Sequence, residues 1–241
     1  MLKIAVRNPR ALRELFGNAL ATAEQLTDPI VDVTVLPQVS VEELFSFTEH
    51  ETILSLWAVP AVARSISLHE AVCLSALMKR ANARRVFEFG TYRGVSTTQL
   101  VLNLPADGKV LTLDLPVTDL NTQFELDTLG EVEVVKDARK GELIPPHLRS
   151  RIEFIALDSA KFDPGPYEGS MDLVFVDGAH TAEYVKNDSE KGWRMLRPGG
   201  ILCWHDCRFN SPSVIKYLRS CSYHPKRIIG GSIAFAEKPA A

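Results

Sequence analysis

The sequence has no strong excess of charge of either sign. Its 27 Lys and Arg and 30 Asp and Glu give a formal net charge of −3 over 241 residues. Domains that bind bulk nucleic acid normally carry a basic patch and a high pI, and disordered chains combine low hydrophobicity with high net charge. Because 46% of the residues here are hydrophobic, we expect a folded domain that acts on a small molecule and has no nucleic-acid partner.

Cysteine is also scarce, and long apolar runs are absent. The four cysteines include no C-x-x-C pair, so the sequence predicts neither a disulfide framework nor a common zinc site. No run approaches the roughly 18 apolar residues that a membrane span needs, and the N-terminus lacks the apolar core of a secretory signal. We therefore expect a cytoplasmic protein without a membrane partner. A homo-oligomer is compatible with these features.

From residue 67 onward, short apolar runs alternate with helical segments. The runs lie at 85–89, 110–114, 152–156, 173–177 and 201–204, and helices are predicted at 71–81, 95–104 and 181–196. This alternation is typical of an α/β fold with a doubly wound, mostly parallel sheet. Residues 227–229 and 232–236, separated by Gly230-Gly231, predict an antiparallel hairpin that completes a seven-stranded sheet.

Two regions depart from this rhythm. Residues 1–66 predict an N-terminal, mainly helical cap, with a helix at 11–26 and an alternating segment at 31–35. Residues 67–241 then form the main domain. Within that domain, 116–148 is a long, charged insertion without a clear strand, and we expect it to be rich in loops and to lie over the sheet edge as a lid.

An acidic residue stands at or just past the end of each predicted parallel strand. These residues are Glu88, Asp114, Asp158, Asp177 and Asp206. In an open parallel sheet, ligands bind outside the carboxyl ends of the strands. A site lined with carboxylates repels phosphate groups but favours a cationic ligand that carries hydroxyls.

The turn after the first of these strands reads Glu88-Phe89-Gly90-Thr91-Tyr92-Arg93-Gly94. Its G-x-x-x-G spacing differs from the dinucleotide fingerprint G-x-G-x-x-G, whose second glycine lets the backbone approach a pyrophosphate. Thr91 and Tyr92 occupy the positions where that bare backbone would be needed. An NAD(P)-dependent Rossmann oxidoreductase is therefore the alternative rather than the main prediction.

These residues resemble the class I S-adenosylmethionine-dependent methyltransferases. The 88–96 turn is similar to the first motif of that family, Asp114 to its ribose-binding acid, and Asp158-Ser159 to its adenine-contacting pair. The segments DLVFVDGAH at 172–180 and PGGILCWHD at 198–206 resemble the metal-dependent O-methyltransferase branch, which includes the macrocin O-methyltransferase-like enzymes. The resemblance covers about residues 68 to 238.

The resemblance implies methyl transfer from S-adenosylmethionine to a hydroxyl of a small-molecule acceptor. It implies a cofactor site made by Glu88, Gly90, Thr91, Tyr92, Gly94, Ser96, Asp114, Asp158, Ser159 and Asp177. Asp177, His205 and Asp206 would bind a divalent cation and His180 would be the general base, so that His180 and Asp177 are the catalytic residues. Cephalosporin hydroxylase-like proteins share these motifs, so a metal-binding relative without transferase activity is a further alternative.

The identity of the cation depends on His205. Relatives commonly carry Asp-Asp or Asp-Asn at the position of His205-Asp206, and Mg²⁺ prefers such oxygen ligands. An imidazole ligand favours Mn²⁺, Fe²⁺ or Zn²⁺ instead. Mg²⁺ is the expected ion, with a softer metal as the alternative if His205 is a ligand.

Overall fold

The computed structural model describes residues 2–6, 36–45, 52–57, 62–117, 121–126, 129–137, 139–208 and 210–240. The predicted helix at 11–26 and the predicted alternating segment at 31–35 lie outside these residues. The described part of the N-terminal region contributes strands and one short 3-10 helix.

Ten strands occur in the described residues, and eight of them form one mixed sheet. They are β1 Leu2–Val6, β2 Gln38–Val39, β3 Thr52–Leu56, β4 Arg85–Phe89, β5 Lys109–Asp114, β6 Ile152–Ala156, β7 Met171–Val176, β8 Leu196–Trp204, β9 Lys226–Ile228 and β10 Ala234–Glu237. The large sheet has the order β2-β9-β10-β8-β7-β4-β5-β6, and β1 pairs with β3 in a separate antiparallel ribbon. Strands β8-β7-β4-β5-β6 are parallel, while β10 is antiparallel to both β8 and β9.

Five α-helices lie in the described residues. They are α1 Leu68–Arg80, α2 Val95–Asn103, α3 Leu129–Lys136, α4 Ala182–Met195 and α5 Pro212–Ser220. Short 3-10 helices occur at Glu43–Phe45, Pro146–Arg151, Ser159–Lys161 and Gly165–Tyr167. None of the helices in the described part of the chain combines the length and apolarity that a membrane crossing requires.

The central strands of the sheet are covered on both faces, which explains why they are mostly apolar. Successive residues of a strand point to opposite faces. In β4, Val86 packs in the core that contains residues of α1 and α2, and Phe87 packs in the core that contains residues of α4 and α5. Both side chains are fully buried.

The prediction of a doubly wound, mostly parallel sheet that ends in an antiparallel hairpin is confirmed. The sheet has eight strands rather than seven, because β2 adds to its edge in parallel with β9. Two residues are too few to show an alternating pattern, so no sequence pattern predicts this strand. The 116–148 insertion holds α3 and no strand among its described residues, and the domain boundaries stay a prediction.

The chain reverses its winding direction at β4. From β4 it passes through α2 to β5 on one side, whereas β7 pairs with β4 on the other side. At such a switch point the loops that leave the two neighbouring strands separate and open a crevice at the carboxyl end of the sheet. This crevice lies beside the turn that follows β4 and the acid that follows β7.

Candidate cofactor and metal site

A cavity of about 510 Å³ opens at the carboxyl ends of β4, β5, β7 and β8. Most of the predicted site residues line it: Gly90, Thr91, Tyr92, Ser96, Asp114, Asp158, Ser159, Asp177, His180, His205 and Asp206. Glu88 and Gly94 do not belong to this lining. Four of the five acidic residues at the strand ends therefore converge on one cavity: Asp114, Asp158, Asp177 and Asp206.

Gly90 brings the turn after β4 close to the backbone of the neighbouring strand end. Its φ is +95°, and a Cβ built on it would lie 2.0 Å from the carbonyl oxygen of Asp177. Only glycine fits here, because any side chain would collide with that carbonyl. Gly94, with a φ of +87°, starts α2 and faces the Ile144 side chain rather than the cavity.

The Asp114 carboxylate is held at the end of β5 by two donors. The backbone N–H of Tyr92 donates to Oδ2 at 2.6 Å, and Lys140 Nζ donates to Oδ1 at 2.9 Å. Gly141 donates its N–H to the carbonyl oxygen of Tyr92 at 2.7 Å, which ties the insertion to the glycine turn. The insertion thus supplies the Lys140 ammonium group beside Asp114, the predicted ribose-binding acid.

Asp158 is almost completely buried at the end of β6. Its Oδ1 caps the short 3-10 helix by accepting from the N–H of Ala160 at 2.9 Å, and it also accepts from the hydroxyl of Tyr184 at 3.0 Å. Its Oδ2 accepts from the N–H of Gln123 at 2.8 Å. These bonds fix the Asp158-Ser159 turn at the cavity wall.

Glu88 lies behind the glycine turn, fully buried. Its Oε2 accepts from the hydroxyls of Thr97 at 2.5 Å and Thr112 at 2.7 Å. Burial raises the pKa of this carboxyl to about 7, against the lowering effect of its hydrogen bonds. Its predicted contact with the cofactor stays a prediction.

Asp177, His180 and Asp206 form a compact cluster at the ends of β7 and β8. Ligand atoms from the three side chains lie within 4.8 Å of one another. His180 Nε2 and Asp206 Oδ2 are 2.5 Å apart. Asp206 has a φ of +56°, a left-handed conformation that is unusual for a residue other than glycine. Such backbone outliers concentrate at functional sites.

His205 approaches the same two carboxylates from the buried side. Its Nδ1 lies 3.0 Å from Asp177 Oδ1 and 3.2 Å from Asp206 Oδ2. Burial lowers the pKa of His205, but the attraction of Asp177 and the hydrogen bonds to the surrounding carboxylates raise it well above its usual value. His205 is thus a cationic donor between the two acids in this arrangement, and its predicted role as a metal ligand stays a prediction.

A third acid, Glu70 at the start of α1, lies behind His205. Its Oε2 lies 3.4 Å from His205 Nε2, and its Oε1 accepts from the N–H and the hydroxyl of Ser232 at 2.8 and 2.6 Å. It also closes a capping box with Ser67. The sequence analysis did not identify Glu70 as a site residue. The one local pattern that involves Glu70 is the capping box, and a capping box indicates the start of a helix rather than a functional site.

Glu131 of α3 is a further acid that the sequence analysis missed. Its Oε1 accepts from the backbone N–H of His180 at 2.7 Å and lies 3.1 Å from His180 Nδ1. Burial lowers the pKa of His180, but the hydrogen bonds to Asp206 and Glu131 raise it to about 10. His180 is therefore flanked by carboxylates at both ring nitrogens.

The cluster fits a divalent cation by its chemistry. Asp177 and Asp206 present two carboxylates from adjacent parallel strand ends, and together with His180 they supply three donor atoms within 4.8 Å of one another. Mg²⁺ is typically held by one or two carboxylates together with water, and an added imidazole suits Mn²⁺, Fe²⁺ or Zn²⁺. By contrast, Cys203 and Cys207 pack in opposite cores and form no thiolate site with His205.

Comparison with known proteins agrees with this geometry. Residues 87–207, just over half of the chain, match the family described as "Methyltransferase domain". The matched segment runs from β4 through the strand ends that carry Asp114, Asp158, Asp177 and Asp206. The segment that matches the family thus contains all four of these acids.

Plant enzymes are among the similar curated proteins. The chain is 27% identical to a caffeoyl-CoA O-methyltransferase of Stellaria longipes over 198 residues, which are 79% of this chain and 71% of the relative. It is 26% identical to a caffeoyl-CoA O-methyltransferase of Medicago sativa over 206 residues, 84% of this chain and 74% of the relative. In both alignments the similarity extends well beyond the matched family segment.

Solved structures support the same fold. A putative O-methyltransferase from Klebsiella pneumoniae aligns with a TM-score of 0.50 at 19% identity, covering 95% of this chain and 100% of the other. A methyltransferase from Geobacter sulfurreducens aligns with a TM-score of 0.51 at 15% identity, covering 73% and 81%. With its glycine turn, its acidic strand ends and the family match considered together, the chain belongs to the methyltransferase domain family and is a class I S-adenosylmethionine-dependent methyltransferase.

Proposed function

We propose that this protein is an O-methyltransferase that moves the methyl group of S-adenosylmethionine to a hydroxyl of a small molecule, with a divalent cation held by Asp177 and Asp206. The observation that carries the proposal is the convergence of these two acids and His180 on the cavity that the glycine turn borders. The O-methyltransferase names of the plant relatives support it.

The cofactor would lie along the glycine turn. Asp114 would accept hydrogen bonds from the ribose hydroxyls, and the Asp158-Ser159 turn would meet the adenine edge. The methionine portion would lie against the turn from Gly90 to Gly94, where Gly90 allows close backbone approach. The sulfonium is cationic, so an acidic cavity favours it electrostatically.

The cation, when bound, would act as a Lewis acid that lowers the pKa of the acceptor hydroxyl and fixes the position of that oxygen. Asp177 and Asp206 would hold it. His205, paired with Glu70, would stabilise the orientation of both carboxylates through its Nδ1. In this proposal the acceptor oxygen would lie beside the glycine turn, where the sulfonium would lie.

His180 would remove the proton of the acceptor hydroxyl. With Nε2 hydrogen-bonded to Asp206, the raised pKa of about 10 keeps His180 protonated at neutral pH, so it cannot accept a proton in that state. Its Nε2 must first be released. A cation bound at Asp206 Oδ2 would compete with Nε2 for that oxygen, so the base role of His180 would depend on the ligand role of Asp206.

Alignment would supply most of the rate, because the sulfonium is already reactive. Well-oriented reactants gain about 7–11 kcal/mol over the same reaction between free molecules. The residues that set the alignment are the glycine turn on the cofactor side and the Asp177–Asp206 pair on the acceptor side.

Product detection tests the proposal. The protein is incubated with ¹³C-methyl S-adenosylmethionine and a panel of catechols, simple phenols and sugars, in Mg²⁺, Mn²⁺ or EDTA, and methyl ethers and S-adenosylhomocysteine are measured by mass spectrometry. We expect a labelled methyl ether that EDTA and Asp177→Ala both abolish. Catechols come first because the plant relatives are named for a caffeoyl substrate.

The same assay covers the alternatives. The family match does not support an NAD(P)-dependent oxidoreductase. A hydroxylase-like relative would oxidise an acceptor without forming S-adenosylhomocysteine. Absence of any methyl ether across the panel, or a product that is indifferent to EDTA, would overturn the proposed O-methyl transfer with a metal.

A further inference from the structure

Two acids contact the His180 ring: Glu131 from the insertion and Asp206 from the end of β8. Glu131 lies on α3, within the 116–148 insertion, and its side chain is only 13% exposed. A single oxygen, Oε1, contacts both the backbone N–H and the Nδ1 of His180. The carboxylate therefore fixes the main chain and the ring of His180 at the same time.

The contact at Nδ1 decides which nitrogen of the neutral imidazole carries the proton. Both ring nitrogens face a carboxylate, and a carboxylate is an acceptor only. If a cation bound to Asp206 took up the oxygen that faces Nε2, Glu131 would be the acceptor that remains, and a neutral His180 would carry its proton on Nδ1. Its Nε2 then bears the lone pair and points towards Asp206 and the metal cluster. A base needs this tautomer if its free nitrogen is to face the acceptor hydroxyl.

We propose that Glu131 is the positioning residue of His180, holding the Nδ1–H tautomer and turning Nε2 towards the space beside Asp177 and Asp206. This inference rests on the proposed function, in which His180 is the base. It gives the insertion a part in catalysis, because the orienting carboxylate comes from α3 and not from the sheet. The aspartate of a serine protease triad orients its histidine in the same way. Replacing that aspartate with the amide leaves the geometry intact but selects the wrong tautomer of the histidine.

The helix that carries Glu131 also offers a matched control. Glu133 lies two residues further along α3, with its side chain 75% exposed and 3.6 Å from Arg64. Glu131→Gln and Glu133→Gln remove the same charge from the same helix. Only the first of these substitutions changes the group that faces His180.

The test is the tautomer of His180 in the protein with S-adenosylhomocysteine and MgCl₂ bound. The six histidines are labelled with ¹⁵N, long-range ¹H–¹⁵N correlations are recorded, and the signal of His180 is assigned by its loss in His180→Gln. We expect the Nδ1–H tautomer in the wild type and in Glu133→Gln. In Glu131→Gln we expect the Nε2–H tautomer or a mixture, because the new amide can donate to Nδ1.

Activity gives the second readout where an acceptor is methylated. Glu131→Gln is expected to lower kcat by about 100-fold, within the roughly 10⁴-fold loss known for the amide substitution in a serine protease triad. KM for S-adenosylmethionine should change less than about twofold, because Glu131 acts through His180. Glu133→Gln should match the wild type in both constants.

Glu131→Asp keeps the charge but shortens the side chain, and it serves as the second variant if the Gln variant does not fold. A mixture of tautomers in either variant supports the proposal. An Nδ1–H tautomer that persists in every folded variant overturns it, as does an equal shift in Glu133→Gln. Because the tautomer is read without turnover, failure of this inference is distinguishable from failure to find a methylated acceptor.

Discussion

Replacing Gly90 with alanine tests the close packing of the glycine turn against the Asp177 carbonyl oxygen. The added Cβ would lie 2.0 Å from the carbonyl oxygen of Asp177, whereas real Cβ contacts stay at or above 3.0 Å. The turn or the Asp177 backbone must therefore move by about 1 Å. A displacement of this size at a reacting centre costs about 100-fold in rate.

The left-handed backbone conformation of Gly90 adds a second loss of unfolding free energy in the alanine variant. Gly90 has a φ of +95°, and a residue with a Cβ pays about 1–2 kcal/mol in the left-handed region. Gly169 is the matched control, because its φ is +64° and nothing lies within 4 Å of the Cβ that alanine would add. Gly169→Ala thus measures the conformational cost alone, about 1–2 kcal/mol.

Urea unfolding, calorimetric titration with S-adenosylhomocysteine and the methyl-ether assay measure the outcome. We expect Gly90→Ala to lose at least about 2 kcal/mol of unfolding free energy, to bind S-adenosylhomocysteine more weakly and to lose about 100-fold in turnover. Gly169→Ala should bind and turn over as the wild type does. If Gly90→Ala proves no less stable than Gly169→Ala and keeps wild-type affinity, the close approach at Asp177 does not constrain the site.

Three further predictions concern single carboxylates. Asp177→Ala should lose Mn²⁺ affinity in calorimetry and turnover in the methyl-ether assay, while its affinity for S-adenosylhomocysteine is largely kept. A folded variant unable to bind S-adenosylhomocysteine would refute the assignment of Asp177 to the metal rather than to the cofactor. Asp114→Asn should weaken S-adenosylhomocysteine binding by about 10- to 100-fold, because charge-assisted bonds are worth about 1.5–3 kcal/mol, and unchanged affinity would exclude Asp114 from the ribose site. Burial raises the pKa of Glu88 from its usual 4.5 to about 7, so the folded state binds the extra proton and the wild type loses up to roughly 3 kcal/mol of stability as pH rises from 4.5 to 7. Glu88→Gln should lack that loss when urea unfolding is compared at pH 5 and pH 8, and an equal loss in both proteins would contradict the raised pKa.

The sequence predicted the centre of the fold because its strands are buried on both faces. The run at 173–177 begins with four consecutive apolar residues, and the structure has the buried strand β7 there. The two-residue strand β2 carries no such pattern, and only its pairing with β9 defines it. A buried strand shows itself as a local run of apolar residues. A short edge strand has no such run, because its pairing depends on where the rest of the sheet lies.

The same distinction holds in the site. Asp114, Asp158, Asp177 and Asp206 could be predicted to converge because parallel strands end at one edge. The partnership of Glu131 with His180 crosses 49 residues and depends on how the insertion folds back over the cavity. A glutamate in a short helix cannot be told from a solvated residue until that packing is known.

Glu70 constrains three parts of the molecule with one side chain. It caps α1 through Ser67, anchors the loop before β10 through Ser232 and faces the buried imidazole of His205. Redesigning the cation preference by replacing His205 with asparagine or aspartate would leave this acid without its positive neighbour, deep in the protein. An engineered or naturally diverged variant with an oxygen donor at 205 would therefore need compensating substitutions at 70 and 232, and these three positions should be varied together in any library aimed at the metal.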